Sequence, residues 1–413
     1  MESKAFESYA KMLVELLGLQ PGQGLMIKSE PANWPVVLAL AEAAYERGAI
    51  YVMPEVDSSA LHRVRVEHAP ADSLGFISDE RGCRQKQFLR DGWALISIKS
   101  PDDPDILAGI DPDRHSRVLA AQQEHDQPWR EKLMSDEFQW LVAAAPTPKW
   151  AAKVLGTKAS REAQLALWQL LKPILRLDSE DPVAFWRTQS DKLARRGKRL
   201  DRMGLRELQF TGPGTDLTIG LSERAIWTGG AATTPGGVRF MPNIPTEEVF
   251  TTPDFRKTEG VVRVTRPVMV LGDLVEGLEL TFEGGKVITF SADRGEETMS
   301  RYLARDEGSA YLGEVALVDG SSPIYKSGHI FYNILLDENA ACHIALGNAY
   351  PDCIEGGLEM SREELRAAGS NVSLQHTDFM IGSGQIDVTG RDDKGASIPI
   401  IREGSFVLGE EEM

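Results

Sequence analysis

The chain of 413 residues has only three cysteines, Cys83, Cys342 and Cys353. An odd number with this spacing builds neither a disulfide framework nor a thiolate metal cage, and it fits a reducing compartment. Positive charge is also in short supply: 45 Lys and Arg face 62 Asp and Glu, a net charge of −17. That balance excludes nucleic acid and anionic membrane as principal partners. No apolar run reaches the roughly 18 residues of a membrane span. Residues 1–7 lack the basic-then-apolar layout of a signal peptide, so a cytoplasmic protein is expected.

Common catalytic signatures are missing too. Gly212-Pro213-Gly214 is followed by Leu217, and Gly382-Ser383-Gly384 by Asp387, where a dinucleotide fingerprint needs a third glycine. Both read as turns. There is no Walker-type loop, no G-x-S-x-G elbow and no H-E-x-x-H helix. Cys342 has no dedicated general base near it in sequence and reads as a small buried thiol.

What is present begins as alternation. Residues 6–17 put Tyr9, Met12, Leu13, Leu16 and Leu17 on one helical face, and Pro21-Gly22-Gln23-Gly24 ends it. Apolar runs at residues 25–28, 50–53, 93–98 and 140–144 read as buried strands, with a helix over 34–47 closed by Gly48. A basic stretch over residues 182–203, including Arg195-Arg196-Gly197-Lys198-Arg199, reads as a solvated helix face. After Leu205 the texture changes to short strands at 207–210, 217–221, 260–264 and 278–282, split by Gly, Pro and Asp turns. These patterns predict an α/β N-terminal domain with a mostly parallel sheet over residues 1–180. An α+β, strand-rich C-terminal domain follows over residues 181–413, and its acidic tail, residues 410–413, is expected to fray.

The chemistry concentrates in that second domain. Residues 331–350 set Asp337, Glu338, His343 and Tyr350 in an otherwise apolar run. Buried ionisable groups are costly unless compensated, and a bound cation compensates acids and a neutral imidazole together. Three other segments carry ligand-type residues. Glu247-Glu248 follows two prolines, Pro242 and Pro245, and precedes an apolar pair. Glu314 lies on a strand whose composition predicts burial on both faces, Gly313-Glu314-Val315-Ala316-Leu317-Val318. A period of two puts Val372, Leu374, His376, Asp378 and Met380 on one strand face. Each has a structural explanation of its own. Glu314 could pair with Arg263, Arg266 or Arg301, Glu338 with Lys326, and Glu247 could cap a helix. Their conjunction, rich in oxygen and without thiolates, favours a two-metal hydrolytic site. Glu338 and His343 are five residues apart, on opposite faces of a strand and roughly 140° apart on a helix. They reach one site only if the chain bends between them, which predicts an irregular junction near Asn339.

Four of these blocks, Thr246-Glu247-Glu248-Val249-Phe250-Thr251, Gly313-Glu314-Val315-Ala316-Leu317-Val318, the stretch from Leu335-Leu336-Asp337-Glu338-Asn339-Ala340 to His343, and His376-Thr377-Asp378-Phe379-Met380, resemble the aminopeptidase T / aminopeptidase S family of metallo-aminopeptidases. The resemblance covers the whole second domain. It implies a catalytic C-terminal domain with two divalent ions (zinc, cobalt, manganese or magnesium) held by Glu248, Glu314, Glu338, His343, His376 and Asp378, with Glu314 bridging. It further implies an active-site tyrosine at Tyr350, short peptides as substrates, and a homodimer. The expected reaction is hydrolysis of the N-terminal peptide bond by a hydroxide that two metals share, with Tyr350 donating to the oxyanion and Glu247 as candidate general base. Another dinuclear hydrolase of amides or phosphate esters, and a silent metal-binding scaffold, are the competing readings.

Overall fold

The computed structural model describes residues 2–408, so the tail at 410–413 lies outside the described residues. The chain divides into two compact units. The first runs to Arg187 and takes back Ala231–Pro245; the second comprises Thr188–Gly230 and the described residues from Thr246 onward. The return of Ala231–Pro245 to the first unit has no counterpart in the sequence reading.

The first unit is built on a five-stranded sheet in the order Tyr51–Val56, Gly24–Ser29, Ala94–Ile98, Trp140–Ala143, Asn243–Ile244. Every neighbouring pair is parallel. Helices join the first four strands, as parallel crossovers require, and Ala94–Ile98 is buried throughout its length, which is why it reads as a continuous apolar run. The helix Trp34–Glu46 stops where Gly48 adopts φ +94°, a conformation that only glycine adopts cheaply.

The second unit has two main sheets. One is eight-stranded and takes in the predicted strands as Leu205–Gly212, Thr215–Leu221, Pro253–Arg263 and Glu279–Glu283, all antiparallel to their neighbours. Pro213 and Gly214 make the two-residue connection between the first two of these, so they form a turn, not a phosphate loop. The basic helix Pro182–Arg202 buries Leu193 and Leu200 and exposes Arg195 and Lys198.

The other sheet positions the chemistry. Its order is Glu248–Thr251, Leu312–Val318, His343–Gly347, His376–Met380, antiparallel throughout. Register decides which side chains share a face. Glu314 lies opposite Ala345, which lies opposite Asp378; His343 lies opposite Ala316; His376 lies opposite Gly347; and Glu248 lies opposite Val318. With a period of two along each strand, Glu248, Glu314, His343, His376 and Asp378 all occupy one face. The other face presents Val249, Val315, Leu317, Ile344, Leu346 and Phe379 to the main core.

One expectation needs correction, and one alternative falls away. The strand expected over 372–380 begins at His376. Asp306 captures the preceding residues, accepting from Ser373 Oγ at 2.8 Å and from the Leu374 N–H at 2.8 Å, and Leu374 is 39% exposed. Val372 and Leu374 therefore do not share a strand face with His376. Glu314 does not pair with an arginine either. Arg266 goes to Asp337, and Arg301 to Glu297 and Asp273.

Gly347 fixes the register beside His376. Its φ is +112°, and a Cβ there would collide with the Gln375 carbonyl oxygen. Gly347→Ala is expected to cost about 2–4 kcal/mol and to lower metal retention, read by thermal unfolding with metal analysis; an unchanged melting temperature would contradict the packing. Elsewhere, Asp136 at φ 53° accepts from Trp140 Nε1 at 2.9 Å. Burial lifts its pKa from 3.8 to about 6, and the Trp140 bond opposes the lift only in part. The native state thus binds more protons between those values, and stability falls as pH rises through that window. Asp136→Asn is expected to stabilise the fold by about 1–2 kcal/mol at neutral pH and to give no gain below pH ~3.5, measured by urea unfolding at both pH values.

Candidate metal centre

The block at 331–350 bends where its spacing requires. The helix Ile334–Glu338 ends at Asn339, and a strand starts at His343. Asn339 is fully buried and ties the bend together. Its Oδ1 accepts from the Glu247 N–H at 2.6 Å, its Nδ2 donates to the Leu335 carbonyl at 2.9 Å, and its own carbonyl accepts from Ser322 Oγ at 2.8 Å. One asparagine thus links the segment carrying Glu248 to the helix end carrying Glu338.

Two clusters of potential ligand atoms form on the sheet face: Glu248, Glu314 and His343, and Glu314, His376 and Asp378. Glu314 belongs to both. His343 Nε2 lies 3.0 Å from Glu248 Oε2 and 3.7 Å from Glu314 Oε1. His376 Nε2 lies 3.3 Å from Glu314 Oε2 and 3.4 Å from Asp378 Oδ1. Each imidazole is anchored from behind, His343 Nδ1 on the Ala341 carbonyl at 3.2 Å and His376 Nδ1 on the Asn348 carbonyl at 2.7 Å. A carbonyl only accepts, so Nδ1 carries the proton and Nε2 faces the carboxylates, the tautomer a metal-binding histidine needs.

The acids and imidazoles of these clusters shift one another strongly. Burial raises the pKa of Glu338, and Asp378 and Glu248 push it further, well above the ordinary value. Burial likewise raises Glu248 against the pull of His343. Glu314 goes the other way: burial would raise it, but the two imidazoles hold it down at about 2. Burial alone would lower both histidines, yet their carboxylate partners keep them charged well above the usual range. Protons on the rings do here what divalent cations do when they replace them.

The donor set fits such ions. Glu248 Oε2 is buried, and despite its 3.0 Å approach to His343 it has no hydrogen bond with acceptable alignment. We read the two atoms as aimed at a common point, because an orphaned buried carboxylate oxygen is otherwise too costly. Small neighbours on the same face, Ala316, Ala345 and Gly347, leave room in front of the donors.

The other sequence-identified residues divide. Glu338 belongs to neither cluster of three, although the charges that raise its pKa are those of the clusters. Tyr350 stands at the rim. Its ring meets the His376 ring edge-on, centroids 4.9 Å apart, and lies 5.6 Å from Phe250. Burial first, then Glu314 and Asp378, raise its phenol well above 10, so it stays protonated. Glu247 lies outside both clusters, and its Oε2 accepts from Gln189 Nε2 at 2.8 Å. Asp337, the other acid of the opening block, is a clamp: it accepts from the Phe331 and Asn333 N–H groups at 3.0 and 3.1 Å and from Arg266 at 3.4 Å. Cys342 turns to the core. Its Sγ accepts from the Val318 N–H at 3.4 Å, and burial raises the thiol to about 11.

Sequence reasoning passed over Asn339, Asn348, Phe250 and Gln189 as participants. Phe250 and Glu248 are two apart on one strand, a signal that period-two spacing could have supplied. Asn348 acts through its backbone carbonyl, which no side-chain pattern reveals.

Comparison with known proteins gives the same direction over the full length. The family model described as thermophilic metalloprotease (M29) matches residues 2–406. Aminopeptidase 2 of Geobacillus stearothermophilus is 41% identical over 406 residues, covering 98% of each chain. Aminopeptidase T of Thermus aquaticus is 38% identical, covering 98% of this chain and 100% of that one. The solved structure of wild-type AmpT from Thermus thermophilus superposes with a TM-score of 0.91 at 35% identity, covering 99% of this chain and 100% of that chain. With a full-length family match and relatives above a third identical, this chain belongs to the M29 family of metalloproteases.

Proposed function

We propose that this chain, a metal-dependent aminopeptidase, hydrolyses the N-terminal peptide bond of short peptides on the site face of the four-stranded sheet. The observation that carries the placement is Glu314, buried and shared by two clusters of ligand atoms. Glu248, Glu314 and His343 would hold one divalent ion and Glu314, His376 and Asp378 a second, with Glu338 a further donor. Oxygen donors with one imidazole per ion suit zinc, cobalt or manganese better than magnesium. When bound, such a pair acidifies water toward neutrality and polarises a carbonyl.

The protein's own groups supply the rest. A free α-amino group, which among backbone positions only the N-terminal residue carries, would be held at this ligand-rich face. The Tyr350 phenol, held protonated, would donate to the carbonyl oxygen as it becomes tetrahedral. Its partner ring His376 fixes its direction. Phe250 offers an apolar wall beside Tyr350 for the side chain of the leaving residue. Glu247 is the candidate to take up the proton, with Gln189 holding one carboxylate oxygen.

Chelation should abolish release of leucine from a leucine anilide, and a divalent ion should restore it. Glu314→Gln should retain fewer than two ions per chain by mass-spectrometric metal analysis; retention of both contradicts the shared role. Tyr350→Phe should lower kcat about 10²–10³-fold with metal content and melting temperature unchanged. A variant with wild-type turnover would remove the tyrosine from the mechanism.

A further inference from the structure

The first unit holds a cavity that the metal chemistry does not use. Its volume is about 350 Å³, within the range of small-molecule sites. The floor is one face of the parallel sheet, where Met26 lies beside Leu95 and Leu95 beside Trp140. The helices Asp79–Arg90 and Pro112–Met134 form the far wall. On the second of these, Trp129 packs against Phe88 and Phe138, with centroids 4.6 and 5.0 Å apart, so the wall is rigid and preformed.

The charges on the lining are one-sided. Lys28, Arg81, Arg84, Lys99 and Arg130 supply five cations against two acids, Glu55 and Asp126, in a chain whose net charge is −17. Asp126 is consumed by a two-pronged pair with Arg81, and Glu55 lies 3.2 Å from Arg84. Lys28 and Lys99 share one acid at longer range, Asp57, at 3.4 and 3.6 Å, and Lys28 lies 3.8 Å from Glu55, so two cations face a single close carboxylate.

Topology says where an occupant would enter. Gly24–Ser29 has Tyr51–Val56 on one side and Ala94–Ile98 on the other, so chain progression reverses at this point. The loops leaving Gly24–Ser29 and Ala94–Ile98 diverge there, which in open α/β sheets opens a crevice at the carboxyl ends of the strands. A second cavity of about 240 Å³ occupies that crevice and shares Lys28 and Lys99 with the first.

We propose that this cavity binds a small organic carboxylate with a flat apolar body, the body lying on Met26, Leu95 and Trp129 and the carboxylate meeting Lys28 and Lys99. The cavity lies in the first unit and the metal centre in the second. Isothermal titration of the metal-loaded protein with indole-3-propionate tests it, with indole-3-propionamide and acetate as probes of body and head alone. The expected result is one saturable site for the carboxylate, at least about tenfold weaker binding of the amide, and none for acetate. Lys28→Met and Lys99→Met should each weaken the carboxylate about tenfold and leave leucine anilide turnover unchanged without it. No saturable binding up to about 10 mM overturns the proposal. Equal binding of the amide, or binding that neither substitution alters, also overturns it; the latter would place the ligand elsewhere, for instance on the metals.

Discussion

Glu314 lies inside the protein, 4% exposed, with His343 on one side and His376 on the other. Few arrangements make an interior carboxylate tolerable, and most use an arginine. Here the compensation comes from two imidazoles, each turned by a backbone carbonyl so that its remaining nitrogen faces inward. This choice has chemical consequences. An arginine would neutralise the acid permanently, whereas an imidazole gives up its proton and becomes a ligand. The same imidazoles that accompany Glu314 can therefore serve as ligands to a cation.

The surrounding sheet serves that arrangement. The core face of the four strands carries Val, Leu, Ile and Phe, and their burial holds the strands in place. The site face alternates large ligand residues with Ala316, Ala345 and Gly347. Larger residues at those positions would fill the space in front of the donors. Gly313 and Gly347 also let backbones approach where a side chain would collide, Gly313 against the carbonyls of Gly347 and Asn348 and Gly347 against that of Gln375. The register shift between Leu312 and Glu314 accompanies this close approach.

How much of this the amino-acid pattern reveals depends on range. His376 and Asp378 stood out by their period of two, Glu314 as a lone acid in an apolar strand, and Glu248 as one of two adjacent acids after two prolines, while the choice of Glu248 over Glu247 as a ligand came from the family resemblance. The bend at Asn339 followed from spacing arithmetic on Glu338 and His343. The parallel sheet of the first unit was legible because buried strands read as apolar runs between helices. What stayed hidden was non-local. Asp306 pulling Ser373 and Leu374 out of the strand is a contact across 67 and 68 residues. The Asn339 bond to the Glu247 N–H spans 92. The cavity of the first unit assembles Lys28, Arg84, Lys99 and Arg130 from separate elements, and no local window contains them.

Burial across the metal centre is graded, and the gradient has a direction. Glu248, Glu314, His343 and Asp378 are buried, while Glu338, His376 and Tyr350 are only partly covered. The groups that need the strongest electrostatics therefore lie at the sheet, where water screens them least. The partly covered ones form the side from which, on the proposed reading, a peptide would arrive. Tyr350 belongs to that side, and it comes from the chain just beyond the strand, at the start of a short 3-10 turn. Its position is still not free, because His376 and Phe250 hold its ring. The role proposed for Tyr350, a donor to a transient oxyanion, needs both access and fixed direction. The strand supplies the fixed direction through its side chains, and the loop supplies the access.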